Sequence, residues 1–432
     1  MTIDIRAYAD KVWNGASDDS IAHTGRGGDG VVEIADGVGW KAGFGNVVAF
    51  RAGGELILFD TGSAHVADRM HAAVREWSAD PLTLAFYSHG HIDHVMGMGP
   101  YDAGAEAAGR PRPQVVAQER VRDRFDRYAL TAGYNSVINQ RQFQAPGLRW
   151  PTEYRLPDVT FRDAMTVTRG GLTFELFHAM GETDDAAVAY VPEHRLLLPG
   201  DMFIWLTPNC GNPQKVQRYP REWARDLRRM AALGAEVMMP SHGAPVFGSD
   251  RIEQALTETA EWLESIIDQT LAMLNDGSRL DDIVHAVKPP ARLSERVYLQ
   301  PKYDEPEFIV RNLWRMYGGW YDGNPAHLKP ARDADVARAV AELAGGAAKV
   351  ADAARRAVDE GDLRLAAHLA EMATQADPEN AALHEIRAEV YGARAKAEPS
   401  LMATGVFKWA ANESRRASGQ EEEPGSLRRL VV

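Results

Sequence analysis

The run Ser88-His89-Gly90-His91-Ile92-Asp93-His94 places four potential metal ligands within six positions, directly after the apolar stretch Leu82-Thr83-Leu84-Ala85-Phe86-Tyr87. That stretch has the length and composition of a buried strand. A strand or helix continued through the histidines would scatter them. A loop lets His89 and His91 converge on one ion while Asp93 and His94 face a second. Neutral imidazoles and a carboxylate suit zinc, with bonds of about 2.0–2.2 Å. One loop histidine is ordinary, but His-x-His-x-Asp-His behind a strand is a specific motif in a fitting context.

Working outward, other predicted strands end in the same way. Leu56-Ile57-Leu58-Phe59 runs into Asp60, and Val237-Met238-Met239 runs into Pro240-Ser241-His242. Further strands are predicted at Gln114-Val115-Val116-Ala117, Phe174-Glu175-Leu176-Phe177 and Val188-Ala189-Tyr190-Val191, with helices over His65 to Trp77 and Arg221 to Leu233. The second helix shows Trp223, Leu227 and Met230 at helical spacing. Together these describe a layered α/β domain over residues 1–250. Strands that run into a common loop layer gather such side chains at one end of a sheet, where α/β enzymes keep their sites.

Beyond Asp250 the pattern turns helical. Ile252 to Leu274 is amphipathic and is closed by Asn275-Asp276-Gly277, while Lys288-Pro289-Pro290 marks a hinge. Alanine-rich helices follow from Ala331 to Ala395, turning at Asp377-Pro378-Glu379-Asn380; they resemble a tetratricopeptide-like hairpin without a clean repeat. The expected division is a catalytic domain over 1–250, a helical domain over 251–410 and a charged tail over 411–432.

With 432 residues, 45% hydrophobic and 25% charged, the chain reads as a soluble protein of more than one core. No apolar run approaches a membrane span. Met1 to Arg6 lacks both a basic and an apolar leader region, so a cytoplasmic location is expected. The single cysteine, Cys210, excludes a disulfide framework and a thiolate cage, so ligands must be His, Asp or Glu. A net charge of -13 disfavours nucleic acid and anionic membranes as partners and leaves a small anionic or ester substrate.

The ordered set Asp60, His89-x-His91-x-Asp93-His94, Glu182, Asp201 and His242 resembles the metallo-β-lactamase superfamily. The resemblance implies an αβ/βα sandwich holding two Zn2+ ions, with iron or manganese as alternatives. It implies His89, His91 and Glu182 on one ion, Asp93, His94 and His242 on the other, Asp201 between them, and Asp60 as structural support. The third station reads His178-Ala179-Met180-Gly181-Glu182-Thr183 here, where the superfamily usually has histidine after glycine. The glycine register favours Glu182, with His178 second. His23, His65, His71, His194 and His285 find no place in this pattern.

Glutamate at that station, followed by a helical region, resembles the alkyl sulfatases of the superfamily. The run from Val310 to Leu328, Val-Arg-Asn-Leu-Trp-Arg-Met-Tyr-Gly-Gly-Trp-Tyr-Asp-Gly-Asn-Pro-Ala-His-Leu, resembles their all-α dimerisation domain and implies a homodimer. Trp314, Tyr317, Trp320 and Tyr321 fit either that domain or an aromatic core stripe. Two features depart from the family. Its C-terminal sterol-carrier-like domain is not expected here, and the segment after Asp201 lacks the arginine that grips sulfate there. Lys215, Arg218, Asn139 and Arg141 are the candidates for binding the substrate's anion.

The implied activity is sulfate-ester hydrolysis by a metal-bound hydroxide, the ions lowering the pKa of water from 15.7 toward about 7. Asp93 and His94 are the catalytic candidates, Asp93 orienting the nucleophile or taking up its proton. The same ligands would serve hydrolysis of another ester, a lactone, an amide or a phosphoester. Iron-dependent redox chemistry on this fold and a non-catalytic scaffold are the alternatives of other classes.

Overall fold

The computed structural model describes residues 4–16 and 30–423. Among the described residues, the first sheet contains β1 (Val32–Ala35), β2 (Val38–Lys41), β3 (Val47–Ala52), β4 (Glu55–Phe59), β5 (Leu82–Phe86), β6 (Gln114–Gln118) and β7 (Val159–Phe161), in that spatial order. β1 to β4 form an antiparallel meander and β4 to β7 run parallel. The parallel strands read as unbroken apolar runs because both of their faces are covered.

The second sheet contains β8 (Ala164–Arg169), β9 (Leu172–Ala179), β10 (Ala186–Val191), β11 (Leu196–Leu198), β12 (Val237–Met238) and β13 (Val246–Phe247). β11 and β12 are parallel, joined through the helix Pro220–Ala231. Its proline sits in the first turn, where the missing N–H costs no helical bond.

Three apolar layers assemble these parts. Phe50, Phe59 and Phe86 of one sheet meet Phe174, Ala189 and Leu198 of the other. Phe174 stands edge-on to Phe50 with centroids 5.1 Å apart. On the outside, Leu58 and Val115 pack under Met70, Val74 and Phe125. Across the molecule, Val188 and Leu197 pack under Trp223, Leu227 and Met230. The result is the αβ/βα sandwich that the resemblance implies.

The helix Ser249–Asn275 follows, ended by a Schellman turn in which Gly277, at φ +79°, donates to Leu274 and Ser278 donates to Met273. The expected boundary at 250 falls at the start of this helix, yet Leu256 and Leu263 share one core with Trp223 and with Ile309 and Leu313. The helices Asp333–Ala344, Ala347–Asp359, Leu363–Ala376 and Ala381–Ala397 form a separate core around Ala354, Ala366 and Ala370.

The last helix, Leu401–Ala417, returns to the sandwich. A Cβ on Gly405 would stand 2.2 Å from the Gln142 carbonyl oxygen, and Gln144 Nε2 donates to the Gly405 carbonyl at 2.7 Å. This corrects the tail boundary: the chain stays helical through Ala417, and residues 424–432 lie outside the described residues. Of the aromatic run only Trp314 packs on the core, while Tyr317, Trp320 and Tyr321 are 43%, 71% and 38% exposed, so the run is not a continuous core stripe. Among the described residues no helix is long and apolar enough to cross a membrane.

Candidate metal centre

β4 ends at Phe59 and the chain turns at Asp60, whose φ of 59° lies in the left-handed region that Asp tolerates better than most residues. Its buried carboxylate accepts from Ser88 N (2.7 Å), Ser88 Oγ (2.8 Å), Ser241 Oγ (2.7 Å) and His94 Nδ1 (2.9 Å). One acid thus fixes both the loop after β5 and the loop after β12. With His94 Nδ1 donating its proton, the Nε2 lone pair is turned into the site.

Gly90 is required by space, because a Cβ there would stand 2.8 Å from Arg124 Cδ. Its N–H donates to Asp185 Oδ2 at 3.1 Å, and the same oxygen accepts from Arg124 Nε at 2.6 Å. On the other side, Asn46 Nδ2 donates to the carbonyls of Pro240 (3.0 Å) and Gly243 (2.8 Å), bracketing His242.

Two ligand groups result: His89, His91, Glu182 and Asp201 in one, and Asp93, His94 and His242 in the other. In the first, Glu182 Oε2 lies 3.4 Å from His91 Nδ1 and 3.9 Å from His89 Nε2. In the second, Asp93 Oδ2 lies 3.3 Å from His94 Nε2 and 3.4 Å from His242 Nε2. Asp201 Oδ2 reaches both, at 3.7 Å from His89 Nε2, 3.7 Å from His94 Nε2 and 3.3 Å from His242 Nε2. All seven expected ligands converge, as the edge lengths of two small coordination polyhedra require.

These residues fit a pair of divalent cations. His94 Nε2, Glu182 Oε2 and Asp201 Oδ1 are buried and have no hydrogen-bond partner among the described residues, a costly state unless a cation completes them. The charges point the same way. Burial pushes the Glu182 carboxyl up to about 7, opposed by Arg218 and reinforced by Asp201 and Asp93. Burial disfavours charge on Asp93 too, but His94 and His242 hold it down to about 2. On His94 burial opposes protonation, yet Asp93, Asp201 and Asp60 drive its pKa well upward. Three crowded carboxylates demand positive charge, and Arg218 supplies part of it at 3.4 Å from Glu182 Oε1.

Glu182 is held from behind. Asn209 Nδ2 donates to its Oε1, Arg218 Nη1 donates to its backbone carbonyl, and the same Nη1 lies 3.4 Å from Oε1. Oε2 is thereby left for the site. His178, second in the sequence reading, faces outward with Nε2 on the Asp184 carbonyl at 2.9 Å. Asn46, Asp185 and Asn209 were not anticipated. The Asn46 and Asn209 bonds span 194 and 27 residues, and no local pattern marks them.

The centre opens into a cavity of about 540 Å³ lined by Phe44, Met70, Ala73, Phe143, Trp150 and Tyr303, with Asn139, Asn209, Asn212, Lys215 and Arg218 supplying polar wall. Lys215 Nζ lies 3.2 Å from Asn139 Oδ1 and 5.3 Å from the centre of the Trp150 ring. Arg141 corrects the expectation: it does not line the cavity and donates to Gln214 Oε1 at 2.9 Å instead. Arg218 lines the cavity, but its guanidinium is turned to Glu182, donating to the backbone carbonyl there. Of the unplaced histidines, His65 reaches the rim, His71 stacks edge-on against Tyr101, and His285 pairs with Asp281. His194 sits in the turn Pro192–His194, and His23 lies outside the described residues.

Burial lowers the Lys215 pKa to about 7, with Arg218 adding to the effect. Its charge is therefore present below that pH and lost above it. KM for an anionic substrate is expected to rise as pH passes upward through about 7, and Lys215→Met is expected to flatten that profile. Arg141→Ala should leave KM unchanged. Steady-state kinetics across pH check both; a wild-type profile retained by Lys215→Met removes Lys215 from substrate binding.

The chain matches the family model described as the metallo-beta-lactamase superfamily over residues 40–242, and the one described as alkyl sulfatase dimerisation over residues 279–417. It is 29% identical over 359 residues to a linear primary-alkylsulfatase of Pseudomonas sp. (strain ATCC 19151), covering 78% of this chain and 67% of that protein. It is 25% identical over 374 residues to an (R)-specific secondary-alkylsulfatase of Pseudomonas sp., covering 80% of this chain and 56% of that protein. It is 24% identical over 388 residues to an alkyl/aryl-sulfatase of Saccharomyces cerevisiae, covering 83% of this chain and 60% of that protein. The chain thus spans about two thirds or less of these relatives. Among solved structures, the stereoselective inverting sec-alkylsulfatase Pisa1 from Pseudomonas sp. superposes with a TM-score of 0.80 at 21% identity, covering 93% of this chain and 67% of that one. Residues 40–242 are thus similar to the metallo-beta-lactamase superfamily, and the segment 279–417 that follows the sandwich is similar to the alkyl sulfatase dimerisation family.

Proposed function

We propose that the protein is a binuclear-metal hydrolase of sulfate esters. The observation that carries this is the meeting of two ligand groups at Asp201, on the wall of a cavity that is cationic at Lys215 and apolar along Phe44, Met70 and Trp150. Such a cavity suits an ester with an anionic head and an apolar body. Similarity to alkylsulfatases supports sulfate as that head.

His89, His91 and Glu182 would hold one ion, Asp93, His94 and His242 the other, and Asp201 both. The N/O donor set without thiolate suits Zn2+, with manganese or iron as competitors. When bound, such a pair acidifies water from 15.7 to about 7 and polarises an ester oxygen. The chain's own part is placement. Asp93, held ionised near pH 2 and above, accepts a hydrogen bond from the nucleophile and orients it. Lys215 and Asn139 face the anionic head, and Phe44 and Phe143 exclude water from the apolar body.

Sulfate release from a panel of primary, secondary and aryl sulfates, with lactones and phosphoesters alongside, is the test. Turnover confined to the sulfates is expected; turnover of lactones or phosphoesters alone would overturn the proposal. In ¹⁸O-water, label in the alcohol reports attack at carbon and label in the sulfate reports attack at sulfur.

We assign catalysis to residues 1–250 and self-association to the helical region after them, where Tyr317, Trp320 and Tyr321 stand exposed. Sedimentation is expected to find a homodimer. Trp320→Ser is expected to weaken it about 30-fold, the effect of losing an aromatic interface anchor of about 2 kcal/mol. An unchanged dissociation constant would place the contact elsewhere.

A further inference from the structure

The segment from Tyr303 to Asn312 belongs to the helical region, yet it forms a wall behind the metal centre. Asp304 is fully buried, and its Oδ2 accepts from Gly211 N at 2.6 Å while its Oδ1 accepts from Glu305 N at 2.7 Å. Asn312, buried in the helix Pro306–Gly318, grips the backbone of Arg218 on both sides. Its Oδ1 accepts from Arg218 N at 3.2 Å and its Nδ2 donates to Arg218 O at 3.1 Å. The approach is close: a Cβ on Gly211 would stand 2.2 Å from Ile309 N. One gripped point, Gly211, lies two residues after Asn209 and the other is Arg218 itself, and Asn209 and Arg218 are the groups that hold Glu182 from behind.

We propose that Asp304 and Asn312 are positioning residues for the ion site formed by His89, His91 and Glu182, so that this ion is held tightly only when the helical region is docked. The physical reason lies in Glu182. Its carboxylate presents Oε2 to His89 and His91 because Asn209 and Arg218 occupy the Oε1 side, and neither has the right place without the wall behind it. Asp304 accepts one backbone N–H on each of its two carboxylate oxygens, whereas an asparagine would turn an N–H₂ donor toward one of them. The Asp93, His94 and His242 site has no such support from this segment. It rests on Asp60 and Asn46 in the sandwich. The inference rests on assigning Glu182 to the first ion, not on the substrate.

The test uses the full chain, stripped of metal and titrated with Co2+ against a chromophoric chelator while the visible ligand-field bands are recorded. Asp304→Asn and Asn312→Ala are each expected to weaken one of two ions about 10- to 100-fold, the range for lost outer-shell support. The other ion should keep its affinity and its bands. Asn312→Asp, which keeps the acceptor for Arg218 N, should restore part of the loss. Asn209→Ala should reproduce the defect, and adding Asp304→Asn to it should weaken binding no further, because both act through Glu182. Equal weakening of both ions, in step with the thermal midpoint of the metal-free protein, would overturn the proposal, as would effects of Asn209→Ala and Asp304→Asn that simply multiply. An unchanged first ion in Asn209→Ala would overturn it at the Glu182 assignment. Because no outcome depends on sulfate release, the fate of the substrate reading is separate.

Discussion

Asp201→Ala is expected to bring the retained metal down from two ions per chain toward one and to lower kcat/KM by well over about 100-fold, the upper end for an outer-shell residue. The expectation follows from a single atom. Asp201 Oδ2 lies within 3.7 Å of His89 Nε2, His94 Nε2 and His242 Nε2, so from the first ligand group it also reaches the second. Its Oδ1 is buried without a partner among the described residues. The three imidazoles around it drive its pKa far below the usual carboxylate range despite burial. Removing it takes away the anion that lets two cations approach one another. Asp201→Asn keeps the shape without the charge and should fall between. Metal analysis after desalting and kinetics on the best sulfate check this; two retained ions with near-normal turnover in Asp201→Ala would remove Asp201 from the bridge.

The second large effect is expected on stability. Asp60→Ala strips one acceptor from four donors at Ser88, Ser241 and His94. Leaving such a buried set uncompensated costs about 3–5 kcal/mol. The left-handed backbone at φ 59° adds about 1–2 kcal/mol for an alanine. Asp60→Asn, tolerant of that backbone but turning an amide N–H₂ toward the donors, separates the two contributions. Urea unfolding of the metal-free protein measures them. A loss below about 1 kcal/mol, the ordinary effect of a point substitution, would show that Asp60 is not the hub.

How far these residues could be read in advance depends on how locally their constraints act. The His89-to-His94 loop was legible because its ligands are contiguous behind an apolar strand. Glu182 was legible through the glycine before it, which the structure explains by crowding, since a Cβ on Gly181 would stand 2.7 Å from the Trp223 ring. Asn209, Asn46 and Asp304 were not legible, because each acts through hydrogen bonds to partners distant in sequence. β8 was missed because every second residue is exposed at a sheet edge, so it has no apolar run. The helix Ala132–Phe143, which follows Arg120–Leu130, was missed for a different reason. Asn135, Asn139 and Gln142 are buried amides facing the cavity side and its surroundings, so the inward face of the second helix is not hydrophobic. The arginine at 141 looked like an anion ligand only because sequence alone does not say which side of that helix it leaves.

The ligands come from opposite halves of the sandwich. His89, His91, Asp93 and His94 follow β5 of one sheet, whereas Glu182, Asp201 and His242 follow β9, β11 and β12 of the other. In the language of binding linkage, ions held by these residues would be ligands of the closed sandwich and of neither sheet alone. Each such ion, free at a thousand times its dissociation constant, would contribute about 4.1 kcal/mol to folding. They would act as a clasp across the seam, and the unfolding midpoint is expected to climb with free metal and to fall when a chelator opens it.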